Sequence, residues 1–177
     1  MSNELLAPPL GSIPDHGHLK PEEISRDEYF MDICRVLGEK ATCDRGKSGC
    51  VITKNNVIIA TAFVDAPYGS PTCDEVGHQM TTFIHEDGHH TEHCMRNVCA
   101  EQGAIANATK SGISLEGATL YSTMTPCSVR HCAHLIVACG IRKVVCDKKY
   151  HDAAESEAIF QRAGIALVYL HQEVEQY

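Results

Sequence analysis

The chain has 177 residues, enough for one domain with a sizeable buried core. Its formal net charge of −8 argues against general nucleic-acid binding, which needs Lys and Arg to neutralise phosphates, yet leaves room for a small anionic substrate in a local basic pocket. No segment has the unbroken apolar length of a membrane span and the first residues lack the basic and apolar regions of a secretory signal, so a soluble cytoplasmic protein is expected.

Residues 1–20, rich in Pro, Gly and His and without periodicity, read as a flexible N-terminal arm, and residues 21–177 as a single domain. A helix is expected after Pro21, because Tyr29, Phe30, Ile33, Val36 and Leu37 recur at helical spacing. Residues 49–54 and 56–63 are β-rich and meet at Asn55-Asn56, which predicts a hairpin. Residues 64–96 read as a long, irregular, polar connection carrying Cys73, His78, His85, His89, His90, His93 and Cys94, which is expected to be functional, disordered, or tied down by something such as a metal. Regularity then returns as helix 97–111, strand 118–123, helix 127–140, strand 142–147, helix 152–164 and strand 166–170. Gly38, Gly112, Gly140 and Gly164 stand where helix C-terminal caps belong. A hairpin followed by alternating helices and strands predicts an α/β fold, one mixed sheet with helices on both faces.

Ten cysteines beside eleven histidines in a reducing compartment point to metal ligation rather than disulfides. The chemistry concentrates in VCAEQGAI (98–105) and TPCSVRHC (125–132). Cys99, Cys127 and Cys132 each fall near the start of an expected helix, where free N–H groups favour thiolates. Three such ligands with one open position make a catalytic zinc site whose water is acidified toward neutrality. Glu101, two residues from Cys99, is then placed to shuttle a proton, the pattern of zinc nucleobase deaminases. The third ligand has two candidates. In an unbroken helix, His131 lies about 400° from Cys127 and Cys132 about 500°, which favours the histidine. A loop lengthened by two residues would instead deliver Cys132, and this is the preferred assignment because zinc pairs tolerate up to about four intervening residues. Cys34, Cys50, Cys139 and Cys146 read as small apolar packing residues.

The segments RDEYFMDI, TCDRGKSGCVI, APYGSPTCDEVGH, HCMRNVCAEQGAI, EGATLYSTMTPC and CAHLIVACGIRKVVCDKKY together resemble the deoxycytidylate (dCMP) deaminases of the cytidine deaminase superfamily. The resemblance implies a three-layer α/β/α fold around a five-stranded mixed sheet. It further implies zinc-dependent hydrolysis of dCMP to dUMP with release of ammonia in pyrimidine deoxynucleotide metabolism, in a homo-oligomer under dCTP and dTTP control. Carried over by position, it makes Cys99, Cys127 and Cys132 the catalytic zinc ligands and Glu101 the proton carrier. It places the main chain of Ala100 at the pyrimidine edge, Arg45 at the nucleotide phosphate, and Tyr150 beside the pocket. Cys73, His78 and Cys94 lie in segments from which the family builds a structural zinc site, with Cys43, His90 or His93 as further ligand candidates. The chain departs from the family where Val64 replaces a side chain able to bond the sugar, and where Asp65 replaces a residue tolerant of positive φ. Asp65 would repel a phosphate, which keeps open a nucleoside or another cytosine or guanine substrate, and a catalytically silent nucleotide-binding role also stands.

Overall fold

The computed structural model describes residues 25–85 and 87–175. The expected arm, residues 1–20, lies outside them. Helix α1 (Arg26–Gly38) starts at Ser25, whose side chain accepts a hydrogen bond from the Glu28 backbone N–H, with Asp27 and Glu28 in the positive first turn. Strands β1 (Gly49–Lys54) and β2 (Val57–Phe63) form the expected antiparallel hairpin. Its turn residues Asn55 and Asn56 have φ of 51° and 63°, a left-handed pair that matches strand twist and that asparagine tolerates.

Residues 64–96 are more ordered than their composition predicts. They hold a one-turn helix, α2 (Cys73–Val76), and a second antiparallel hairpin of β3 (Met80–Ile84) and β4 (His90–Cys94), separate from the main sheet. The pattern is hidden in the sequence because both hairpin faces are largely exposed, so the strands show no apolar alternation.

After this insertion come α3 (Ala100–Lys110), β5 (Thr119–Met124), α4 (Cys132–Ala138), β6 (Lys143–Tyr150), α5 (Ala154–Arg162), β7 (Ala166–Tyr169) and β8 (Val174–Glu175). The main sheet runs β2-β1-β5-β6-β7, antiparallel across β2, β1 and β5 and parallel across β5, β6 and β7, with the short β8 beside the end of β6. This is the expected mixed sheet, extended by one short strand.

The two faces of the sheet follow from strand periodicity. Val51, Tyr121 and Val145 point to one face and pack with Phe30, Met31 and Cys34 of α1. Their neighbours Cys50, Ile52, Leu120, Val144 and Cys146 point to the other, where α3, α4 and α5 contribute Ala104, Ile105, Ala133, Ile136, Ile159 and Phe160. The buried stripe of α1 therefore runs through Phe30, Met31 and Cys34, while Tyr29 and Val36, expected on it, are exposed. Gly112, Gly140 and Gly164 take positive φ at helix ends, as cap glycines do. Gly38 does not: α1 includes it, and Glu39 is the cap residue. What Gly38 supplies is a close approach, because a Cβ there would lie 3.2 Å from the Lys47 carbonyl oxygen and 3.3 Å from the Gly49 nitrogen.

Candidate active site

Three elements deliver the chemistry to one end of the sheet. Cys99 is the N-cap of α3, Cys127 follows the C-terminal end of β5, and Cys132 opens α4. Helix α4 begins five residues later than the sequence suggests. The His131 N–H bonds the Ser128 carbonyl at 2.7 Å, and His131 itself takes φ 62°, so residues 128–131 form a turn rather than helix. That turn absorbs the two extra residues. It leaves His131 exposed and turns Cys132, which is fully buried, toward Cys127.

The Cys127 and Cys132 sulfurs are 3.5 Å apart, those of Cys99 and Cys127 4.0 Å apart, and all three lie within 4.8 Å of one another. Around a tetrahedral zinc with ~2.3 Å Zn–S bonds, neighbouring sulfurs sit ~3.8 Å apart, so the trio fits that ion. Cys127 is the preferred anion of the three. The Cys132 and Cys99 thiols stabilise its negative charge and hold it well below the ordinary thiol value, while both of them are pushed up by Cys127. Cation binding at the trio must release thiol protons.

Glu101 is buried beside this trio. Burial and the nearby Cys127 charge push its carboxyl up to about 7, against the Ser122 hydroxyl, which donates to Oε1 at 2.7 Å. A carboxyl that titrates near neutrality suits general acid–base work. Glu101, Cys99 and Cys127 line one pocket together with Arg45, Val64, His93, Arg130 and Tyr150. Burial lowers the His93 pKa.

Arg45, Val64 and Tyr150 thus reach the pocket, as the sequence suggests. The Ala100 side chain is fully buried behind Cys99 and is not among the described lining residues. Asp65 does not face the pocket either. Its carboxylate accepts hydrogen bonds from the Thr42 hydroxyl at 2.7 Å and the Ala66 N–H at 2.8 Å, its carbonyl accepts from the Val98 N–H at 2.8 Å, and its φ is not positive. It braces the loop ahead of Cys99.

Sequence reasoning passed over three residues that shape the site. Arg130, from the lengthened loop, donates to the Cys94 carbonyl at 3.3 Å and to the Asn97 carbonyl. Gln102 accepts from the Cys99 N–H at 3.4 Å and donates to the Arg130 carbonyl at 2.8 Å, so one side chain braces both halves of the cysteine trio. Ser122 of β5 bonds Glu101 of α3. Gln102 was legible as the third residue of a helix N-terminus; the other two depend on tertiary contacts.

The second cluster also assembles. Cys43, Cys73, His78 and Cys94 place one ligand atom each within 4.8 Å of the others. The Cys73 and Cys94 sulfurs are 3.5 Å apart, and Cys43 Sγ is 3.6 Å from His78 Nδ1. His78 Nε2 faces Asp44 at 3.0 Å, the outer-carboxylate support common for metal-bound histidine. Burial acts to raise the Cys94 thiol, but the backbone N–H groups of Arg96 and Gln79 outweigh it and bring it down to about 7. Cys43 completes the four donors; His90 is exposed and His93 turns to the pocket. Cys34, Cys50 and Cys146 are fully buried packing residues, and Cys139 is half-buried.

Residues 24–148 match the family described as the cytidine and deoxycytidylate deaminase zinc-binding region. The chain is 31% identical to the deoxycytidylate deaminase of Mycobacterium phage D29 over 123 residues, covering 70% of this chain and 94% of that protein. It is 29% identical to ComE operon protein 2 of Bacillus subtilis over 146 residues, covering 82% and 71% respectively. Among solved structures, the dCMP deaminase of cyanophage S-TIM5, in complex with dCMP and dUMP, superposes with a TM-score of 0.65 at 26% identity over 86% of this chain and all of that one.

Proposed function

The chain belongs to the cytidine and deoxycytidylate deaminase zinc-binding family and is an enzyme of that hydrolytic type, and from this premise we propose that its substrate is dCMP, converted with one water to dUMP and ammonia. The observation that carries the reading is the convergence of Cys99, Cys127, Cys132 and the buried Glu101 on a pocket that Arg45 also lines. Zinc held by the three cysteines, with its fourth position open, would supply a water acidified toward neutrality. Glu101 carries the protons: it accepts one from the attacking water, delivers it to the ring nitrogen, and serves the leaving amine in turn. The Ser122 hydroxyl fixes the Oε1 that does not move the proton. Arg45 provides a planar guanidinium for the phosphate, and its Nη2 rests on the Glu92 carbonyl at 3.4 Å. Tyr150 and the apolar Val64 shape the wall between base and phosphate. A homo-oligomer, a response to dCTP and dTTP, and a structural zinc held by Cys73, His78 and Cys94 with Cys43 belong to the same reading.

Ammonia release from dCMP, dCTP, deoxycytidine, cytidine and guanine tests it. The highest kcat/KM is expected on dCMP. Arg45→Ala should raise KM for dCMP roughly 10- to 100-fold and leave deoxycytidine nearly unchanged, as loss of a charge-assisted phosphate contact predicts. Glu101→Gln should lower kcat by about two to four powers of ten. Equal efficiency on dCMP and deoxycytidine would remove the phosphate from the reading, and turnover unaffected by Glu101→Gln would overturn the proton path.

A further inference from the structure

A third ligand cluster stands outside both cysteine sites. His85 and His89 flank the turn of the β3–β4 hairpin, where the His85 N–H bonds the His89 carbonyl at 2.9 Å. Asp152 lies two residues beyond Tyr150, in the β6–α5 loop. The sequence shows HEDGHH as a histidine-rich stretch but gives no hint of its partner, which lies more than sixty residues downstream.

We propose that His85, His89 and Asp152 form a binding site for a divalent transition-metal ion of the zinc class, which fastens the tip of the insertion hairpin to the rim of the active-site pocket. His85 Nε2 lies 3.5 Å from Asp152 Oδ2, and His89 Nε2 lies 3.4 Å from Asp152 Oδ1. Both distances exceed the ~2.7–3.2 Å of a good N–H···O bond. They match the ~3.3 Å edge between donors around a tetrahedral ion with ~2.0–2.1 Å bonds to nitrogen and oxygen. The two imidazoles are stacked, with centroids 3.8 Å apart and planes 12° from parallel, so both rings bring a nitrogen to the same carboxylate.

The surroundings are arranged as for a metal-bound histidine. His89 Nδ1 meets Asp87 Oδ1 at 2.5 Å, and the same carboxylate oxygen accepts the His89 backbone N–H at 3.1 Å. This holds the His89 ring with Nε2 toward Asp152. The His85 and Asp152 side chains are only 13% and 15% exposed, while His89, at 44%, leaves the site open on one side. The Thr91 hydroxyl lies 2.8 Å from His85 Nε2 and 3.0 Å from His93 Nε2, and its single proton can serve only one of them. An ion on His85 takes that lone pair and directs the Thr91 proton to His93, which lines the pocket. The donor set is two nitrogens and one carboxylate oxygen, unlike the sulfur-rich sets of the two cysteine sites, and suits zinc, cobalt or nickel.

The full-length protein, saturated with zinc and dialysed, is assayed for metal content beside His89→Ala and Asp152→Asn. Each variant should hold about one zinc per chain less than wild type. A Cys99→Ser control should lose a different ion, so that its loss and that of His89→Ala add. With cobalt in place of zinc, the wild-type-minus-His89→Ala difference spectrum should show ligand-field bands without thiolate charge transfer. Zinc should slow hydrogen exchange across residues 85–91 in wild type more than in Asp152→Asn, which keeps all four donors of the Cys43, Cys73, His78 and Cys94 cluster. Equal metal content in wild type and both variants, or zinc-independent exchange of the hairpin, would reduce the cluster to an ion pair and overturn the site. These readouts count ions and measure protection, so they stand or fall independently of whether dCMP is the substrate.

Discussion

Cys132 and His131 are adjacent, yet only one belongs with Cys127 and Cys99. The difference is one backbone angle: His131 at φ 62° turns the chain so that the next side chain enters the core. A non-glycine residue there is strained, which gives opposite expectations for the two positions. His131→Gly should keep every bound zinc and raise stability by up to about 1 kcal/mol, measured by urea unfolding. Cys132→Ser should lose about one zinc per chain, read by elemental analysis. Loss of zinc from His131→Gly would restore the histidine as ligand. Cys99, Glu101 and Cys127 were legible in the sequence because residue type and spacing from a helix start specify their chemistry. Arg130 and Ser122 were not, since each acts across contacts between distant segments, while Cys43 was one of three candidates for the fourth donor of the second cluster.

Helix α1 covers one face of the sheet, and two features seat it. Arg35 binds Asp147 of β6 through both carboxylate oxygens, at 3.0 and 2.6 Å, and His171 Nδ1 lies 2.8 Å from the same carboxylate. Burial raises the Asp147 carboxyl, but the Arg35 and His171 contacts outweigh it and hold its pKa below the ordinary value. A depressed pKa in the folded state stabilises above the unfolded value of about 3.9, and that stabilisation disappears as pH falls through the folded value. Asp147→Asn should therefore cost about 1–3 kcal/mol at pH 7, with the gap to wild type closing as pH falls below about 4 in a denaturation series. A gap independent of pH would assign the cost to packing. The second feature is Gly49 at the start of β1, where a Cβ would collide with the Cys34 carbonyl and lie 2.8 Å from the Gly38 nitrogen. These are backbone atoms that cannot swing aside, so Gly49→Ala should destabilise by at least about 2 kcal/mol in the same assay.

Across the whole molecule, the β3–β4 insertion is a separate two-stranded sheet with little apolar surface of its own, a size that is marginal without added support. Its lower end carries Cys94 and, nearby, Cys73, His78 and Cys43, and Arg130 links the Cys94 carbonyl to the catalytic loop. Cys94→Ser or a strong chelator should therefore open residues 77–96 to proteolysis while the main sheet keeps its circular-dichroism signal. A loss of about 2 kcal/mol would lower Tm by roughly 4–8 °C for a chain of this size. Unchanged protease resistance would mean that the hairpin holds itself. The sequence alone determined the main sheet and its helices, because burial on one or both faces writes period-2 and period-3.6 patterns into the chain. It also singled out Cys99, Cys127 and Glu101, whose identities are the chemistry itself. Tertiary structure decided what leaves no such local trace: a hairpin exposed on both faces, a left-handed residue that selects Cys132 over His131, an Asp65 bound into its loop, and an Asp152 carried to two histidines by the fold. Each of these depends on where distant segments meet, and no spacing along the chain encodes that.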